Sequence, residues 1–342
     1  MLIVPAKCTE CGGILQVDQE KDAAVCPHCN TPFIIEKAIT NYTGISGQND
    51  FDIRAGVLLK YNGAEDDVVI PDNVTIISKE AFKDCIGLRS VEIPDSVTDI
   101  EELAFSDCTH LKNVILPNSV TSIGAAVFCR CSSLTSITIP DNVLSIDLSA
   151  FWLCSSLTSI TIPDSVTSIG DSAFFGCSSL TNITIPDSVT SIGIGAFAGC
   201  SALTSVTIPD SVTSISAGAF RECYALTEIT LPNSIASLEG VLFFDCSALA
   251  NITIPDSVTS IGETAFGKCS SLTSITIPDS VTSIGKTAFW ECSSLTSITI
   301  PDNVMFIDSH AFRSCPNLTT INGEPIKKYR AHKINTRKLM LS

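Results

Sequence analysis

Proline stands at positions 71, 94, 117, 140, 163, 186, 209, 232, 255, 278 and 301, each 23 residues after the last. Phenylalanine keeps the same step from Phe82 to Phe312, and cysteine from Cys85 to Cys315. A fixed period of roughly 20–29 residues marks a chain that stacks one small unit upon the next. An inserted residue would shift every row of such a stack, so a step held without a slip is a packing requirement. The unit reads L-x-x-I-x-I-P-D-x-V-x-x-I-x-x-x-A-F-x-x-C-x-x.

One unit cannot bury its own Leu, Ile, Val and Phe, but identical neighbours can cover them. At roughly 1.5–3 kcal/mol per large apolar side chain, a coil gains on the order of 10 kcal/mol of gross burial, mostly offset by chain ordering. Leu157 to Ile162 ends in period-2 alternation and is predicted to be a strand, broken by Pro163. Val166 to Ile169 is predicted to be a second extended piece. Ala173-Phe174-x-x-Cys177 is predicted to be a single helical or 3₁₀ turn that tucks Phe and Cys inward. With strands about 4.8 Å apart, the array would be on the order of 55 Å long.

The expected fold class is therefore a β-rich solenoid of 23-residue units. Its unit closely resembles the BspA-like leucine-rich repeat over about residues 65–323. The resemblance implies a curved solenoid with the LxxIxI strands on the concave side. It also implies relatives that are mostly surface adhesins or proteins of unknown role.

If Leu157, Ile160 and Ile162 point inward, Ser159 and Thr161 point outward in two nearly uniform rows of small hydroxyls. These rows read either as a solvated strand surface or as a flat binding face, though one without the Trp, Tyr and Arg anchors that dominate interfaces. Variation collects just after the Phe, at Trp152, Phe175, Arg221, Phe244, Trp290 and Arg313. These six are candidates for an aromatic–Arg partner-binding patch; the alternative is packing against the neighbouring coil. The Asp row after the prolines is expected to accept hydrogen bonds from its own turns, weak cation binding between coils being the sharper alternative.

The chain has 16 cysteines. The Cys85–Cys315 row is expected to be reduced and buried, each thiol acting as a small hydrophobe. Four others differ: Cys8-x-x-Cys11 and Cys26-x-x-Cys29 are two knuckles with zinc-site spacing. Four thiolates close a tetrahedron with no open position, so one structural Zn²⁺ is expected, with two disulfides as the alternative. His28 is read as a bystander. Residues 14–17 and 23–25 read as a small hairpin, and the stretch resembles a zinc ribbon.

The expected organisation is a zinc ribbon at 1–40, a polar linker at 41–50, an N-terminal cap at 51–64, the repeat array at 65–323 and a basic tail or cap at 324–342. Net charge is −16, against a tail holding Lys327, Lys328, Arg330, Lys333, Arg337 and Lys338. The acidic middle disfavours nucleic acid and anionic membranes. Neither a signal peptide nor a transmembrane run stands out, so a cytoplasmic location is expected, with surface exposure by a non-standard route as the alternative. No nucleotide-binding, serine-hydrolase or zincin motif is present, and the four His are scattered. The expected function is a non-enzymatic protein–protein interaction scaffold, with the ribbon as a second docking module. A surface adhesin and a nucleic-acid-associated regulator are the alternatives.

Overall fold

The computed structural model describes residues 3–7, 14–18, 23–26, 31–34 and 50–325. From 65 onward the chain winds as a solenoid, most 23-residue coils contributing two very short strands. The first ladder carries three-residue strands such as Ser136–Thr138 and Ser159–Thr161, paired parallel with Ile137 opposite Ile160. Its middle residue is buried and its flanks exposed, as period-2 alternation requires. The second ladder carries two-residue strands such as Ser168–Ile169 and Ser191–Ile192, again parallel.

Both pieces are shorter than the sequence suggests, and turns explain it. The Leu157 amide closes a turn onto the Cys154 carbonyl at 3.0 Å, so pairing begins only at Ser159. The Val166 amide closes the proline turn onto the Pro163 carbonyl at 3.0 Å, leaving Ser168–Ile169 as the strand.

The A-F-x-x-C segment is not the expected helical or 3₁₀ turn. Two residues per coil take the left-handed region, as at Ser172 (φ 54°) and Gly176 (φ 70°). This reverses the backbone twice around the Phe, and the middle amides then point to the next coil. Phe174 donates to the Ala196 carbonyl, and Gly176 to that of Ala198, each at 2.8 Å. The turn edge is thus a third hydrogen-bonded stack, parallel to the two strand ladders.

Inside, Phe82 through Phe312 form one column of stacked rings, with neighbouring centroids 4.8–6.1 Å apart. Stacks of this spacing gain about 0.5–1.5 kcal/mol per pair beyond area burial. At the head, Phe51–Arg54 and Val57–Tyr61 form an antiparallel hairpin whose second strand pairs parallel with Ile76–Ile77. Tyr61 continues the ring column onto Phe82 at 5.1 Å. At the far end Thr320–Ile321 folds back on Glu324–Pro325. There the Asn322 side chain accepts from the Ile300 amide at 2.6 Å and donates to its carbonyl at 2.8 Å.

Near the N-terminus the expected pairing is corrected. Ile14–Asp18 pairs with Ile3–Lys7, and Ala23–Val25 with Pro32–Ile34, both antiparallel. Segments 14–17 and 23–25 each close on their own flanking strand instead of on one another. Cys26 is buried and its amide donates to the Thr31 carbonyl at 3.0 Å. Cys8, Cys11, Cys29 and His28 lie outside the described residues, as do most of the expected linker and the tail from 326.

Candidate functional site

The two strand faces are chemically monotonous. The outward Ser and Thr of the first ladder are exposed, as expected. Many hydroxyls at the ladder edges serve the stack itself: Thr158 Oγ1 donates to the Thr135 carbonyl, and Thr190 Oγ1 to that of Thr167. The acidic row is exposed to solvent, and its turns are closed by the backbone bond from the Val amide to the Pro carbonyl. The expected own-turn capping is not seen for the described row from Asp72 to Asp279; the Asp210 carboxylate instead accepts from the Asn233 amide of the next coil at 2.7 Å.

The turn edge is different, because its positions vary from coil to coil. Trp152 and Phe175 stack at 5.9 Å, with the Arg130 guanidinium 5.1 Å from the Trp152 ring. Arg130 also reaches Asp107 at 3.6 Å. Ala198, buried one coil further on, ends this first cluster. The second cluster begins at Arg221, whose guanidinium lies 6.0 Å from the Phe244 ring and pairs with Glu222 at 2.6 Å. Phe244 and Trp290 belong to coils two apart, yet their rings stack at 6.4 Å. Gly267 stands between them in the same column. A Cβ there would run into the Thr264 Cγ2 methyl and lie 3.1 Å from Phe244 Cδ2, so glycine gives the ring room to lean across. The Lys268 ammonium sits 5.4 Å from both ring centroids.

The structure therefore sorts the six sequence candidates into a Trp152–Phe175 pair, an Arg221–Phe244–Trp290 group, and Arg313, exposed one coil beyond Trp290. The four aromatic rings are half-buried against one another, so the packing reading and the patch reading both describe part of each ring. Sequence reasoning missed Arg130, Lys268 and Gly267. The signal was present: the first two stand two residues after the Phe of their units, and the third is the small residue between two aromatics of one column.

Near the array's end, Asp308, Ser309 and His310 are in contact, but their geometry is not that of a nucleophile relay. Ser309 Oγ (3.1 Å) and Asp308 Oδ1 (3.4 Å) both address His310 Nδ1, whereas a relay requires one partner on each ring nitrogen. The row cysteines are poor nucleophiles as well. Burial pushes the thiols of Cys131, Cys154, Cys177, Cys200, Cys223, Cys246 and Cys269 well above the ordinary thiol value, so they stay protonated. Among the described residues no helix is long and apolar enough to cross a membrane.

A family model described as the BspA type leucine rich repeat region (6 copies) matches residues 60–180, 145–272 and 237–332. Among solved structures, a leucine-rich repeat protein from Bacteroides ovatus superposes with a TM-score of 0.59 at 25% identity, covering 96% of this chain and 95% of its own. A leucine-rich repeat protein from Eubacterium ventriosum gives 0.52 at 23% identity, covering 77% of this chain and 89% of its own. The pneumococcal vaccine antigen PcpA gives 0.50 at 20% identity, covering 81% and 80%. No curated protein matches the chain. With the family model matched from residue 60 to 332, the chain belongs to the BspA type leucine-rich repeat family.

Proposed function

We propose that the chain is a non-enzymatic scaffold that holds a protein partner along the turn edge. The observation that carries this is the pairing of Phe244 with Trp290 around Lys268. Stacked aromatics flanked by cations are the chemistry that supplies most interface energy. The strand faces repeat from coil to coil and give a partner little register, whereas this edge differs in every coil.

The test begins with partner capture from the native host, followed by Trp152→Ser with Trp290→Ser. The folded double variant is expected to bind a purified partner at least about tenfold more weakly, or about 1.4 kcal/mol. Undiminished binding there, with loss on Thr161→Arg and Thr276→Arg, would move the site to the strand face. Fractionation of the native host separates a role inside the cell from one at its surface.

We further propose that Cys8, Cys11, Cys26 and Cys29 hold one structural Zn²⁺, with the ribbon serving as a second docking module. Both cysteine pairs fall between strands of an antiparallel hairpin: Cys8 and Cys11 between Lys7 and Ile14, Cys26 and Cys29 between Val25 and Pro32. That is the placement two thiolate knuckles need to converge on one ion, and four thiolates leave it no open position for chemistry. Elemental analysis of reduced, freshly purified protein should find one zinc per chain; its absence ends the proposal.

A further inference from the structure

The coil from Pro232 to Ile254 departs from its neighbours at three positions that bear on stacking. Ala236 and Ala250 replace the threonines of the two ladder-edge columns, and Leu242 replaces the alanine beside the Phe. In neighbouring coils these threonines tie one coil to the last: Thr213 Oγ1 donates to the Thr190 carbonyl and Thr227 Oγ1 to that of Thr204. An alanine has no such donor.

Both ladders lapse at this coil. The long second-ladder sheet ends at Ser214–Ile215, and a separate sheet starts at Ser237–Leu238. In the first ladder one sheet ends at Glu228–Thr230 and the next starts at Ser274–Thr276. Asn251–Thr253, between them, joins neither among the described residues. Ile252 is half-buried where Ile229 and Ile275 are buried, and a cavity of about 850 Å³ opens beside it. Leu242, fully buried between Ala219 and Ala265, acts as a wedge. The Phe220–Phe243 ring spacing is 6.1 Å, against 5.5 Å on either side.

The turn edge stays closed through the same coil. Phe220 donates to the Leu242 carbonyl at 3.1 Å, Glu222 to Phe244 at 2.7 Å, Phe243 to Ala265 at 2.8 Å and Asp245 to Gly267 at 2.8 Å. We propose that this coil is a built-in hinge: the array opens on its two strand sides while turning about the intact edge. The Phe244–Lys268–Trp290 stack starts on that edge within the hinge coil and ties it to the two coils that follow.

Hydrogen exchange on the full chain tests this. Amides of 236–239 and 251–254 should exchange at least about tenfold faster than the equivalent amides of 190–193 and 205–208, while those of 241–245 stay slow. In Ala236→Thr with Ala250→Thr, which restores both hydroxyls, the fast amides should slow toward the comparison coils. Leu242→Ala, which withdraws the wedge, should act in the same direction. Seam amides as slow as their comparison coils in the unaltered chain would overturn the hinge. So would turn amides exchanging as fast as the seam, since the coil would then be opening as a whole. The internal comparison in the unaltered chain decides even if a variant fails to fold.

Discussion

Cys200 does two jobs that alanine and serine would each do in part. It fills a fully buried site, and its thiol donates to the Phe174 carbonyl of the preceding coil at 3.3 Å. The same bond recurs from Cys108 to Cys315. Cys200→Ala should therefore cost about 1–3 kcal/mol, from a lost donor and a small void. A change within error in a urea titration would show that the thiol bond contributes nothing. Phe197→Ala should cost more, about 3–5 kcal/mol, because the ring is fully buried between Phe174 and Phe220. The sequence makes the size and burial of both residues legible through their period. It does not make the thiol's donor role legible, because that depends on where a carbonyl of another coil points.

The turn is the element that sequence reasoning misread. A-F-x-x-C has the spacing of one helical turn, and most residues at its two left-handed positions are not glycine: Ser149, Leu153, Thr264 and Lys268 all have φ between 56° and 61°. Glycine occupies such sites only at 176, 195, 199 and 218 within the coils. That partial substitution is the trace the conformation left in the sequence. Each non-glycine residue there carries about 1 kcal/mol of strain, at up to two positions per coil, outweighed by the inter-coil bonds it permits. Ser149→Gly should accordingly raise stability by up to about 1 kcal/mol. A loss instead would mean that the unfolded chain's gain in freedom outweighs the relief. At the edge, Gly267→Ala should crowd both Thr264 and Phe244 and shift Phe244 off Trp290 while leaving the ring column intact. The reporter is Trp290 fluorescence measured in a Trp152→Phe background; an unchanged spectrum would show that the two rings do not depend on the gap.

Across the whole molecule the repeat decides most of what can be read. A fixed step announces a continuous core, and the order of rows within the unit gives its inside and outside. Irregular coils escape this logic, since the lapse falls where Ala236 and Ala250 stand in place of threonine, two ordinary-looking substitutions that meet only when the coil closes. The same regularity makes one property collective. Burial raises the thiols of Cys108 and Cys292 and the seven between them above their ordinary value of 9.0. Below that value the thiols are protonated in both folded and unfolded chains, and their contribution to stability is fully present. Above it the unfolded chain releases protons that the folded chain retains, so stability falls as pH rises. Each thiol contributes a slope of about 1.4 kcal/mol per pH unit, and together they reach on the order of 10 kcal/mol per unit. Alkaline unfolding should therefore be steep, with the urea midpoint dropping sharply between about pH 8 and pH 10. Ultraviolet thiolate absorbance should appear together with the loss of β-structure rather than before it. A midpoint unchanged over that range would mean that the thiol row is not sealed from solvent, and absorbance that precedes unfolding would mean the same.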